Sequence, residues 1–382
     1  MRILHVCLTS PYTPNFSYQE NLLTKAHKKM GIDVYILANK EMYEGSSIVF
    51  SKESDFINED GIPVSRLSYF KLIPIQLNKK IRVYSDVYDK IEAIKPNIIF
   101  IHNPQFLSIL SIVKYAKKHS NIKIFVDSHT DFKNSAKSFI SKNLLHRFLY
   151  KFCAQRILPF TTKFWGTLPT RVDFLHKVYN IPQNKIEFLP MGADDDMIVK
   201  HTSAQEKHDV KASFNFKDDD FVIVTGGKID IAKIKILSLM EAVNKIERNN
   251  IKLLVFGSID RTLKEKFESL CSDRVKYVGW ANVDDAYKYF SIADLVIFPC
   301  LHSVYWEQVA GMGIPMVVKY MQGITHVDRG GNVKFLQEES VDEIKKTIED
   351  IFFNGQLKYM KDAAERNKKF FSYRDIAARC IE

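Results

Sequence analysis

The residues of this chain best placed to do chemistry fall in Leu295–Pro315, LVIFPCLHSVYWEQVAGMGIP. Leu295–Phe298 is a short apolar run of the kind that makes a buried strand. Pro299 breaks it, and Val304–Met312 reads as a helix that Gly313 and Pro315 end. Strand, loop and helix in that order aim a helix N-terminus at the carboxyl edge of a sheet. Free amides of Ser303 and Val304, with the helix dipole behind them, make a seat for phosphate. Glu307 sits one turn in, where a carboxylate suits a neutral diol such as ribose better than the phosphate itself. His302, in the loop, either reaches the phosphates or orders the loop. The plainer alternative is a βα unit with a surface glutamate.

A second cluster follows the apolar strand Phe221–Thr225: Gly226-Gly227-Lys228-Ile229-Asp230, then Lys233. Paired glycines let backbone approach a ligand closely, and two lysines could converge on a diphosphate as point charges. A tight turn with solvated lysines is the other reading. The loop Gly279, Trp280 and Ala281, after the strand Val275–Tyr277, could hold a nucleobase, although a tryptophan filling the domain edge fits equally. His129 in DSHTD and His102 in IHNP each follow a strand, where an imidazole can donate to a hydroxyl or a phosphate oxygen or simply be structural. Three acidic runs, Asp194–Asp196, Asp218–Asp220 and Asp284–Asp285, sit at a linker, a strand entry and a helix start. Asp is common there as a cap, and the spacings do not converge as a Mg²⁺ site requires. No metal is expected.

The elements that must position these residues alternate. Strands are expected at Arg2–Cys7, Asp33–Leu37, Ile98–Ile101, Ile122–Val126, Lys163–Gly166 and Ile186–Leu189, with helices near Gln19–Met30, Val83–Ile94, Leu107–Lys118, Ser138–Gln155 and Arg171–Tyr179. Lys40–Asp60 reads as a polar excursion closing in a hairpin at Gly61–Arg66. The pattern pauses at PMGADDD (190–196), continues through a polar linker to 218, and restarts in a second βαβ series that ends in helices at Val341–Ile351, Leu357–Phe371 and Tyr373–Ile381. Alternation of this kind predicts parallel sheets covered on both faces. The fold class is α/β: two doubly wound, Rossmann-like domains facing a cleft, with ligands at the carboxyl ends of the strands. The expected division is 1–192 plus 372–382 and 193–371.

Composition narrows the classes. The net charge of +10 lies wholly in residues 1–195, with 27 Lys and Arg against 17 Asp and Glu; residues 196–382 balance at 28 each. A basic first half fits an anionic partner, such as lipid head groups or a phosphorylated acceptor, or else general solubility. Nucleic acid is not expected as a partner. Leu144–Lys163 interleaves Phe148, Tyr150, Phe152 and Phe160 with Arg147, Lys151 and Arg156, which suits a membrane interface or a helix core. No apolar run approaches the ~20 residues that span a bilayer, and MRILHVCL reads as a first strand rather than an export signal. Five scattered cysteines fit reduced thiols. The expectation is a cytoplasmic protein, either free or held at the inner face of the plasma membrane.

Together these stretches resemble retaining glycosyltransferases of the GT-B fold, in family four. The likeness is clearest in 219–335: Gly226, Gly227, Lys228 and Lys233 match that family's glycine turn and second lysine, while Pro299, Glu307 and Gly313-Ile314-Pro315 match its strand end, helix glutamate and G-x-P. LPMGAD (189–194) is similar to its hinge strand. HSVYWEQ (302–308) with GITHVDRGGN (323–332) resembles a subset that builds bacterial surface polysaccharides. Two departures stand out: the first of the family's two glutamates falls on Pro299, and the glycine pair of the first loop is replaced by Asn15–Asn21. The resemblance implies transfer of a sugar from a nucleotide-sugar donor, UDP- or GDP-linked, to a glycan or lipid-linked glycan, with no cofactor. It implies Lys228, Lys233, Glu307 and His129 as catalytic residues. Gly226, Gly227, Gly279, Trp280, Ala281, His302, Ser303 and Val304 would bind the donor. It also implies a terminal helix that returns to the first domain. A non-hydrolysing nucleotide-sugar epimerase and a two-lobed binding protein without turnover are the alternatives.

Overall fold

The computed structural model of the chain describes residues 1–45, 47–132 and 141–382. Two α/β units emerge, Met1–Pro190 with Ile376–Glu382, and Met191–Asp375.

The strands of the first unit are β1 (Arg2–Cys7), β2 (Asp33–Asn39), β3 (Glu41–Glu44), β4 (Ser47–Phe50), β5 (Asp55–Ile57), β6 (Pro63–Leu67), β7 (Ile98–His102), β8 (Lys123–Ser128), β9 (Thr161–Gly166) and β10 (Ile186–Phe188). Eight of them form one sheet in the order β10-β9-β8-β7-β1-β2-β6-β5. Every pair is parallel except β5 with β6. The central strands are buried along these runs (ILHV, IIFI, IFV), which are apolar except for His5, because helices cover both faces and no residue of the run meets water. Strand order reverses between β1 and β7, which marks the loops after those strands as the place where a doubly wound sheet binds ligands.

The second unit holds β11 (Phe221–Gly226), β12 (Ile251–Phe256), β13 (Val275–Tyr277), β14 (Leu295–Phe298), β15 (Met316–Lys319) and β16 (Val333–Leu336). All are parallel, in the order β13-β12-β11-β14-β15-β16. The reversal lies between β11 and β14, so the Gly-Gly-Lys turn and the Cys300–Ser303 loop flank one switch point. One face of the sheet packs under Lys235–Lys245 and Val341–Phe353, and the other buries Trp306, Val309 and Ala310 of the helix Tyr305–Gly311. Gly311 allows that helix to sit close: a methyl group there would meet Ala193 Cβ and the Phe371 carbonyl oxygen at 2.7 Å. The terminal helix Tyr373–Arg379 begins in the second unit, and Ile376–Glu382 belongs to the first.

Several elements differ from expectation. Lys40–Asp60 contains a two-stranded antiparallel hairpin, β3 with β4. The helix expected from Val83 starts at Val87, because Tyr84 bridges to Tyr69. The polar linker folds as helices Asp195–Lys200 and Ala204–Ser213, each started by a side-chain cap, Asp194 on the Asp196 amide and Ser203 on that of Glu206. The long helix expected over Ser138–Gln155 begins at Ser141 with wide π-helical turns and continues as Lys151–Ile157; 138–140 lie outside the described residues. No described helix is long and apolar enough to cross a membrane.

Candidate functional site

At the switch point of the second unit the loops after β11, β12 and β13 lock together through backbone. Gly227 N–H donates to the Phe256 carbonyl, and Gly257 N–H to that of Gly279 at 2.7 Å. Gly257 adopts φ +123°, and a methyl group there would lie 1.8 Å from the Gly227 carbonyl oxygen, so only glycine fits. A methyl group on Gly227 would lie 3.1 Å from Lys233 Nζ and 3.8 Å from the Tyr305 ring. Lys233 is thus folded over the glycine turn and faces the first residue of the helix Tyr305–Gly311. Burial lowers its pKa, and among the described residues no carboxylate lies within ion-pair distance of its Nζ. An ammonium losing water without gaining an anion is costly.

The other predicted donor residues divide. Lys228 does not share the enclosure of Lys233: its side chain is 76% exposed, with Nζ 3.8 Å from Asp230. The Asp230 charge also acts on Lys233, so both lysines neighbour that carboxylate. Trp280 is 71% exposed beside the half-buried Ala281, so it does not fill the domain edge. The amides of Ser303 and Val304 donate to no acceptor among the described residues, while their carbonyls accept from Trp306 and Gln308.

Glu307 is fully buried, so it is not the surface glutamate of the plainer alternative. His302 Nε2 and His326 Nε2 each lie 2.8 Å from Oε1, and Oε2 is enclosed without a hydrogen-bond partner. Burial raises the pKa of Glu307, but the two imidazoles outweigh it and bring it down to about 2. An ionised carboxylate only accepts, so both Nε2 atoms carry hydrogen. Oε1 of Glu307 therefore holds two rings. His302 also packs edge-on against Trp306. The three ligand atoms lie within 4.8 Å of one another, but a cation would need both Nε2 atoms stripped of hydrogen. His326 was not singled out from the sequence; the signal was its place in GITHVDRGGN, after a strand of the same sheet.

The acidic runs cap and pair. Asp194 caps a helix, Asp195 accepts from Ser372 and from the Arg374 amide, Asp285 completes a capping box with Asn282, and Asp284 pairs with His201.

In the first unit His129 follows β8, half-buried, with its amide donating to Asn103 Oδ1 at 2.9 Å and Nε2 3.5 Å from Asp127 Oδ2. His102, at the end of β7, donates from Nδ1 to the same oxygen at 2.9 Å. Register makes this pair, since His102 sits opposite Asp127 in the parallel ladder. Asn103 N–H donates to Asp127 Oδ1, so both carboxylate oxygens are engaged.

Comparison with known proteins bears on the fold and on the second unit. Residues 220–354 match the family model described as glycosyl transferases group 1. An uncharacterized glycosyltransferase of Methanocaldococcus jannaschii is 29% identical over 160 residues, 39% of this chain and 40% of that one. The chain thus spans about two fifths of the length of the curated relative it matches. Among solved structures, a glycosyltransferase from Rickettsia africae superposes with a TM-score of 0.69 at 15% identity, covering 99% of this chain and 96% of that one. HepE of Anabaena in complex with UDP-glucose superposes at 0.64 and 13% identity, over 100% and 98%. WaaG, a glycosyltransferase involved in lipopolysaccharide biosynthesis, gives 0.64 and 13%, over 99% of each chain. The chain has the two Rossmann-like units of the GT-B fold, and its second unit is similar to glycosyl transferases group 1.

Proposed function

We propose that this protein transfers a sugar from a nucleoside-diphosphate donor to an acceptor hydroxyl, with retention at the anomeric carbon and without a metal. The observation that carries the reading is the half-buried ammonium of Lys233, folded over Gly227 at the switch point, with no carboxylate within ion-pair distance among the described residues. A diphosphate supplies the missing charge. As the sugar departs, negative charge grows on the leaving phosphate, and a cation and amides already in place stabilise it, commonly the largest single contribution to catalysis. Lys228 and the Ser303 and Val304 amides add donors, and exposed Trp280 offers a face to the base. Glu307 acts by holding His302 and His326. The resemblance of the second unit to group 1 enzymes supports the donor assignment.

We assign the acceptor and the sugar-side histidine, His129, to the first unit. Leu144, Phe148 and Phe152 are exposed apolar residues four apart on one helical stretch, and Arg156 covers the Phe152 ring at 4.8 Å. That combination suits anionic lipid around a lipid-linked glycan acceptor, as in the synthesis of cell-surface polysaccharide. Binding to vesicles containing anionic lipid, lost on F148S, tests this arm.

The main test is a thermal-shift panel of UDP, GDP, CDP and their sugars, followed by transfer with whichever donor stabilises. A ligand at 100 times its Kd adds about 2.7 kcal/mol. A panel in which no nucleoside diphosphate shifts the transition removes the reading.

A further inference from the structure

The first unit buries a string of imidazoles that leads to His129. His27 Nε2 lies 2.9 Å from the Ala377 carbonyl oxygen, in the segment that closes the chain. His27 Nδ1 lies 3.0 Å from His5 Nε2, His5 Nδ1 lies 3.0 Å from His102 Nε2, and His102 Nδ1 lies 2.9 Å from Asp127 Oδ2. His5, His27 and Asp127 are fully buried, and His102 nearly so. The four residues come from a helix and three adjacent strands, so the sheet register rather than proximity in sequence assembles them.

The two ends fix every proton between them. A carbonyl can only accept, so His27 Nε2 carries hydrogen. Burial keeps this ring neutral, so its Nδ1 is bare and accepts from His5 Nε2–H. Burial likewise keeps His5 neutral, so its Nδ1 is bare and accepts from His102 Nε2–H. The other nitrogen of His102 faces a carboxylate, which accepts; it too must carry hydrogen. His102 is therefore an imidazolium. Surrounding groups agree. Glu20 favours the cation, and Cys7 and Cys380 are buried thiols held neutral, with Arg66 and Arg379 near them respectively. Gln19 is an uncharged donor to Asp127 at 3.4 Å.

A buried ion pair costs several kcal/mol of desolvation per ion, and an apolar pair would be as stable. Here it ends on the carboxylate that His129 approaches. We propose that His27, His5 and His102 form a proton-ordered string whose imidazolium end fixes Asp127 as the charged seat that positions His129. This rests on the assignment of His129 to the transfer site, but its core, the charge on His102, does not. The four are positioning residues; none touches substrate.

Two-bond ¹H–¹⁵N spectra of histidine-labelled full-length protein read the string directly. His102 should show both nitrogens protonated at pH 7, with His5 and His27 as neutral Nε2–H forms. A neutral His102, or an Nδ1–H form of His27, overturns the proposal without any activity measurement. Asp127→Asn should lower kcat at least tenfold, leave donor KM within about twofold, and move the alkaline limb of the pH profile down by about one unit, the scale of losing one opposite charge. Asp127→Glu should restore that limb. A profile unchanged in shape overturns the positioning role. Failure of nucleoside diphosphates to bind would defeat the transferase reading while the ring spectra still decide this one.

Discussion

Each unit buries a carboxylate among imidazoles, and the two arrangements differ in how much freedom their protons keep. In the first, Asp127 has both oxygens engaged and stands at the end of a string tied to a backbone carbonyl. In the second, Glu307 gathers both rings on Oε1 and leaves Oε2 without a donor. The string has one proton order and no slack. The triad can be rearranged by rotating one ring or admitting one donor. Rigid order suits positioning a distant group, whereas an unsatisfied oxygen beside the proposed phosphate seat suits a site that completes itself on ligand.

The contrast is sharpened most by the lysine. Lys233→Ala should cut turnover about 10²–10³-fold, the scale for one preorganised stabiliser of developing charge. Lys228→Ala, exposed and partly screened by Asp230, should cost under about tenfold; steady-state kinetics on the two variants decides, and equal losses would contradict the unequal enclosure seen here.

Stability comes next. Asp127→Asn strands a buried imidazolium and should cost about 3–5 kcal/mol. Glu307→Gln keeps an acceptor for both rings but buries an amide donor where Oε2 had no hydrogen-bond partner, so about 1–3 kcal/mol is expected. Urea unfolding midpoints rank them, and the reverse order would break the comparison.

Acid separates the clusters by window. The folded pKa of His27 is down at about 4 from an ordinary 6.5. The unfolded chain therefore binds the proton first, and stability falls as pH drops from about 6.5 to 4. Glu307 is also depressed, from 4.5 to about 2; its contribution is complete above 4.5 and lost toward 2. His102 is raised, so its share is complete below 6.5 and lost as pH climbs through the raised value. Hydrogen exchange on acidification should show the first unit loosening before the second.

The smallest effect concerns metal. If both Nε2–H groups serve Glu307, Zn²⁺ should leave the melting temperature unchanged; a rise abolished by His326→Ala would mean that the triad is a cation site.

Much of this was legible. Uniformly apolar runs such as IIFI gave the parallel strands, and GGK with the Ser303–Glu307 segment marked the switch point. What escaped depends on tertiary pairing. β16, VKFL, is half exposed and reads as loop. The helices of 195–213 are polar, and only their Asp194 and Ser203 caps betray them. The enclosure of Glu307 was hidden because His326 lies nineteen residues away. The histidine string was hidden because His5 and His102 meet only through the β1–β7 pairing. His102, left open between hydroxyl contact and structure, is part of an ion pair.

Calorimetric titration of the preferred nucleoside diphosphate against wild type and Lys233→Met decides the role of the half-buried ammonium. Saturable binding to the wild type is expected, weakened at least tenfold in Lys233→Met at an equal or higher melting temperature. Equal affinity in the two proteins would contradict that role.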